Sequence, residues 1–144
     1  MLCIENAGTH RSWANSAVSG RRMRLCRSAA GKLTVAMLSG RYPPPIVFAQ
    51  VDQRTPRTLT PARLSGELER IRHAGCAAEV EETRIGHHAA AIPVLWPGNV
   101  RVGALSVIAP TAGTSLARVL RELTTAAGLV TSRLARLSAY AAPS

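Results

Sequence analysis

The sequence predicts an α+β domain, an antiparallel sheet flanked by helices, and three observations predict it. Two apolar runs, residues 89–95 and 100–109, are split by Pro97-Gly98-Asn99. Pro and Gly at adjacent positions between β-rich segments read as a hairpin connection. Leu64, Leu68 and Ile71 recur at helical spacing, and so do Leu116, Val119, Leu120, Leu123, Ala127, Val130, Leu134 and Leu137. Finally, 144 residues at 47% hydrophobic and 18% charged describe one globular domain with a real core, not a disordered tail.

In chain order, residues 1–4 already look like a strand, and turn residues Asn6, Gly8 and Thr9 lead to a second extended segment at 13–18. Residues 28–38 form the first helical candidate. Ser28 is placed to cap it, and Gly31 in its first turn permits close approach of another backbone or a ligand. Tyr42-Pro43-Pro44-Pro45 stops this element, because proline lacks the N–H a helix needs. The next helix has a signalled start and end: Thr60 at the N-cap, Pro61 at the first helical position and Gly75 just past the last turn.

An acidic strand with Glu79, Glu81 and Glu82 follows, and strand alternation places Glu79 and Glu81 on one face and Glu82 on the other. In the run 100–109 the same rule groups Val102, Ala104, Ser106 and Ile108 against Gly103, Leu105, Val107 and Ala109. Both groups are largely apolar, so this strand is expected to be covered on both sides. Ser106 is a small hydroxyl on an oily face, suited to holding a small ligand, or else a core serine bonded to backbone. The longest helix is expected over 115–137, with Arg118, Arg121, Glu122, Arg133 and Arg136 opposite its apolar stripe. The domain is read as 1–140, and 141–144 as a frayed tail.

The net charge of +10 invites a nucleic-acid reading. No acidic residue occurs from Asn6 to Val51, where Arg11, Arg21, Arg22, Arg24, Arg27, Lys32 and Arg41 fall. A basic face there would suit phosphate or nucleic acid. With no aromatic stacking pattern interleaved with these charges, a solvated face or subunit contact is the favoured reading. Cys3, Cys26 and Cys76 are dispersed without metal-ligand spacing, which suits reduced thiols in a cytoplasmic protein. No apolar run approaches the ~20 residues of a membrane span, so no membrane partner is expected.

The sequence offers no catalytic pattern. Gly31-Lys32 is not a phosphate loop, since Cys26 stands where Gly is needed and Leu33 where Ser or Thr is needed. Adjacent His87 and His88 point to opposite faces of a strand and cannot easily grip one ion. No nucleophile elbow or Cys–His pairing occurs. The expectation is no enzyme, no metal and no cofactor.

Five motifs in order carry a resemblance. Arg27-Ser28-Ala29-Ala30-Gly31-Lys32, Arg54-Thr55-Pro56-Arg57-Thr58-Leu59-Thr60, Gly75-Cys76-Ala77-Ala78-Glu79-Val80-Glu81-Glu82, Ala91-Ile92-Pro93-Val94 and Ala104-Leu105-Ser106-Val107 with Ala109-Pro110 resemble, in sequence and spacing, the effector-binding domain of IclR-type bacterial transcriptional regulators. The resemblance implies a sheet flanked by helices, related to GAF and PAS sensors. It also implies a small organic acid or aromatic effector, and assembly into homo-oligomers or with related regulator subunits. Carried over by position, the effector-binding residues are Ser28, Ala29, Gly31, Glu79, Ala89, Ser106 and Ile108. Three depart from the family pattern: Glu79 replaces Asp, Ala89 replaces Cys and Ile108 replaces a second Ser. These changes enlarge one side chain and remove polar anchors. Nothing in the chain corresponds to the family's winged helix-turn-helix, so the expectation is an N-terminally truncated regulator that reaches DNA only through a domain absent from this chain. A rival expectation is a degenerate structural fragment that pairs with related subunits and binds no ligand.

Overall fold

The computed structural model describes residues 3, 7, 19–20, 22, 25–38, 51 and 53–141. Apart from Cys3, the strand-like segments expected at 1–4 and 13–18, the proline stop at 42–45, residues 142–144 and most of the basic stretch lie outside them. The described elements run α1 (Ala29–Leu38), α2 (Pro61–Ala74), β1 (Ala77–Val80), β2 (His87–Trp96), β3 (Val100–Pro110) and α3 (Leu116–Ala141).

The Ser28 and Gly75 caps act as the sequence predicts, whereas Thr60 holds the N-cap position without a side-chain capping bond. The Gly31 amide donates to Ser28 Oγ at 3.1 Å, satisfying one of the free N–H groups at the start of α1. Pro61 opens α2 behind an extended Thr60. Gly75, at φ 68°, closes it by donating its N–H to the Ile71 carbonyl at 2.9 Å. The strands form an antiparallel sheet in the order β1-β2-β3. The β2–β3 hairpin turns through Gly98 and Asn99, at φ 79° and 60°, the left-handed region that Gly and Asn tolerate best.

Register defines two faces. One carries the rungs Ala77–Ala91–Ser106 and Glu79–Ala89–Ile108, and the other carries Ala78–Ala90–Val107 and Val80–His88–Ala109. On the first face Ala77, Ala89 and Ala91 join a core with Ala29, Ala30, Leu33, Val35 and Ala36 of α1 and Leu64, Leu68 and Ile71 of α2. The alanines matter here, since small side chains let α1 lie close to the strands. Helix α1 packs against all three strands and also against α2, so it is buried nearly all round. On the second face Ala90 and Ala109 pack with Val119 and Leu123 of α3, flanked by Ile92, Leu105, Leu116 and Leu120.

Several expectations fail. Strand β3 is not covered on both sides: Val102 is 52% exposed, Val107 39% and Ile108 37%. It forms an edge of the described sheet, and α3 packs chiefly on β2. Val102 also leaves the Ala104–Ser106–Ile108 row. Val94 pairs with Gly103 but Leu95 with Arg101, so a bulge there leaves Val102 without an opposite residue and interrupts the alternation. Helix α3 continues to Ala141, and its apolar stripe is buried only in its first half. Val119, Leu123 and Ala127 are buried, whereas Val130 and Leu137 are exposed. A further failure lies at the end of β1.

Candidate functional site

Strand β1 ends at Val80, and Glu81 takes a left-handed φ of 59°. Strand alternation therefore stops before the acidic residues do. Glu79 and Glu82, expected on opposite faces, come together, and it is Glu81 that turns aside. Glu81 accepts the Gly86 amide at 2.8 Å and pairs with Arg57 at 2.9 Å. The Glu79 carboxylate is buried and accepts the amides of Glu82 at 2.9 Å and Thr83 at 3.1 Å. Two threonines of the segment before α2 fix the turn from outside. Thr55 Oγ1 donates to the Glu81 carbonyl at 2.6 Å, and Thr58 Oγ1 to the Glu82 carbonyl at 2.7 Å.

Lys32 completes this cluster. The sequence counted it with a basic face, yet its side chain is 0% exposed. Its Nζ lies 2.6 Å from Glu82 Oε1 and 3.8 Å from a Glu67 oxygen on α2. Burial is the largest influence on Glu82 and pushes its carboxyl up, while the Lys32 ammonium pulls it back down and Glu79 and Glu67 add a further upward push. Glu82 Oε2 is buried without a hydrogen-bond partner among the described residues. A buried ion pair is expensive to desolvate, so this one invites a functional account. No sequence pattern pointed to Lys32–Glu82, because the two residues lie 50 apart and a lone lysine reads as a surface charge.

The strand residues singled out from the sequence are brought together. Glu79, Ala89 and Ile108 form a single rung, with Ser106 in the next, all on the face over which α1 lies. Ser28, Ala29 and Gly31 make the start of that helix. Their accessibility differs sharply. Ala29, Gly31, Glu79 and Ala89 are buried, Ser28 is half-buried, and Ser106 and Ile108 are exposed. Ser106 Oγ donates to the Ala90 carbonyl at 2.8 Å, which is the backbone bond of its blander reading, although on an open strand and not in a core. An open groove of about 570 Å³ lies between residues 53–60, the first turns of α2 and β1; among the seven positions only Glu79 lines it, together with Glu67 and Glu82 of the Lys32 cluster.

His87 and His88 differ in setting. The His87 ring is held near the Ile85 carbonyl at 3.0 Å, while His88 is buried with Nε2 unpartnered among the described residues. No cluster of three or more metal-ligating side chains occurs among the described residues, and no described helix is long and apolar enough to cross a membrane.

Comparison with known proteins agrees with this architecture. The transcriptional regulator YaiJ matches with a TM-score of 0.71 at 24% identity, over 83% of this chain and 70% of that one. The C-terminal domain of the E. coli transcriptional regulator KdgR matches with a TM-score of 0.68 at 28% identity, over 81% and 74%. An IclR homologue from Microbacterium hydrocarbonoxydans, solved with 4-hydroxybenzoate, matches with a TM-score of 0.71 at 23% identity, over 82% of this chain and 49% of that one. The chain thus spans about half the length of that last regulator. No curated protein sequence matches it. The profile of the family described as bacterial transcriptional regulator IclR C-terminal matches residues 1–132. The chain belongs to the IclR family of bacterial transcriptional regulators, within its C-terminal, effector-binding domain.

Proposed function

We propose that this domain senses a small organic acid or aromatic molecule on the sheet face beneath the start of α1, with Ser28, Ala29, Gly31, Glu79, Ala89, Ser106 and Ile108 around it, and that it assembles with copies of itself or with related regulator subunits. The observation that carries the reading is the convergence of four strand positions, Glu79, Ala89, Ile108 and Ser106, onto two neighbouring rungs of the face that α1 covers. The partial positive charge at the N-terminus of α1 favours a carboxylate there. The Microbacterium relative, solved with 4-hydroxybenzoate, supports an aromatic acid as the first probe. Exposed Val100, Val102, Leu129 and Leu137 support a role in assembly.

Thermal-shift measurements with 4-hydroxybenzoate and a panel of small carboxylates test this reading. A ligand at a hundredfold excess over its Kd stabilises by about 2.7 kcal/mol, so a binder raises Tm by several degrees, and no shift with any of them contradicts a working site. A second reading, assembly without any ligand, is favoured by the burial of Ala29 and Gly31 and by the Ser106 hydroxyl already being bonded to Ala90. Co-purification with a full-length relative, unaffected by every ligand in the panel, would select it.

A further inference from the structure

We propose that Lys32 and Glu82 are a positioning pair, which sets the first turn of α1 against Glu79 and so holds the two halves of the effector site at one spacing. The inference deepens the effector-site reading above and rests on it for its functional meaning. Lys32 directly follows Gly31 and is bound at 2.6 Å to Glu82. The amide of Glu82 is in turn bound at 2.9 Å to the Glu79 carboxylate. One polar chain therefore runs from the start of α1 to the acidic member of the Glu79–Ala89–Ile108 rung. Around this pair Glu82 and Glu67 face a single buried ammonium, and Glu67 is also held at the surface by Arg70 at 2.6 Å.

The pair is poorly suited to be a stabilising device. Two well-packed apolar side chains of similar volume commonly serve as well or better than a buried ion pair. What an ion pair adds is direction: contacts between Ala29 or Leu33 and the strand alanines tolerate small slides of α1, whereas an ammonium bonded to a carboxylate tolerates far less. The other end of α1 is held differently, by Arg72 on the Ala36 carbonyl at 2.9 Å and Arg101 on the Met37 carbonyl at 2.9 Å. Those two side chains grip the C-terminus of the helix. At its start Thr83 Oγ1 reaches the Arg27 carbonyl at 3.4 Å, and the Lys32–Glu82 bond at 2.6 Å is a shorter, buried tie.

The test compares the wild type with Lys32→Met/Glu82→Leu, with the charge reversal Lys32→Glu/Glu82→Lys and with Glu82→Gln, a near-isosteric change that keeps Lys32 and serves if the apolar pair fails to fold. Two quantities are read: the urea midpoint, and hydrogen exchange at the amides of residues 31 and 32, which bond Ser28, and of 82 and 83, which bond Glu79. The apolar pair is expected to keep the wild-type midpoint or exceed it, while exchange at these four amides speeds up by about tenfold or more and the charge reversal restores part of the protection. Unchanged exchange in the apolar pair, or in Glu82→Gln if that is the variant that folds, overturns the proposal. So does an exchange increase that only follows a fall in midpoint. Affinity for 4-hydroxybenzoate is measured on the same proteins. If the wild type binds none, the effector reading loses support, while the exchange result still decides whether Lys32–Glu82 positions α1.

Discussion

The two helices that sandwich the sheet are attached by different physics. Helix α1 has ten residues and directional ties along its length: the Ser28 cap, the Lys32–Glu82 pair and two arginines on its last carbonyls. Helix α3 has 26 residues, about 39 Å at 1.5 Å per residue. It holds the sheet mainly through Val119 and Leu123, with the Leu95 amide of β2 donating to Thr131 Oγ1 at a long 3.5 Å, while Leu129 is 65% and Leu137 60% exposed. Apolar burial stabilises without specifying position closely, whereas buried polar bonds specify position at a cost in desolvation. Fixed geometry is concentrated where the candidate effector residues converge, and spare apolar surface is left where subunits could meet.

The contrast can be broken most severely at Glu82. Glu82→Leu leaves the Lys32 ammonium buried and unpaired, and should cost about 3–5 kcal/mol in urea unfolding, most of which the added Lys32→Met returns. A loss of under 1 kcal/mol for the single variant would mean that Lys32 finds water or another partner, and that α1 is not held as described. Next in size is the apolar attachment of α3. Leu123→Ala, at a fully packed position, should cost about 2–5 kcal/mol. Leu137→Ala, on the exposed half of the same helix, should change stability by no more than about 0.5 kcal/mol. Equal losses at the two positions in the isolated chain would mean that the second half of α3 is packed after all.

Smaller effects sharpen the picture. Ser28→Ala removes the cap on α1 and should cost about 1 kcal/mol in the same assay. The pH dependence of Glu82 isolates its burial. Its carboxyl binds a proton more tightly in the folded than in the unfolded state, so its contribution is most favourable below the ordinary carboxylate pKa and is lost as pH rises through its raised folded value. Glutamine does not titrate. The stability of the wild type relative to Glu82→Gln should therefore grow as pH falls through that window, and a difference that stays flat or shrinks would contradict the buried setting.

Much of the fold was legible because its signals are local. Thr60-Pro61 and Gly75 marked the ends of α2, Pro97-Gly98-Asn99 marked the hairpin, and the repeat of Leu116, Val119 and Leu123 marked α3. The grouping of Ala104, Ser106 and Ile108 followed from alternation and holds, but alternation could not show that Val102 sits at a bulge or that β3 lies open. Apolar residues read the same on a covered strand and on an edge. The site was legible only as a set of positions carried over from the family. Its polar centre was hidden twice. A lysine in a helix buried nearly all round looks like any surface lysine, and the turn that joins Glu79 to Glu82 depends on a positive φ at Glu81, a residue type that gives no warning of it. Thr55 and Thr58 stood inside a recognised motif, but their role became visible only once their hydroxyls met the Glu81 and Glu82 carbonyls.

The central claim, that the sheet face under the start of α1 receives the effector, is tested most directly by titrating the isotope-labelled chain with 4-hydroxybenzoate and following its backbone amide signals. Saturable shifts are expected at residues 28–32 of α1 and at Glu79, Ala89, Ser106 and Ile108, with the exposed half of α3 unmoved. Saturable shifts confined to α3 or to the groove beside residues 53–60, or no shifts at millimolar ligand across the panel of acids, would contradict it.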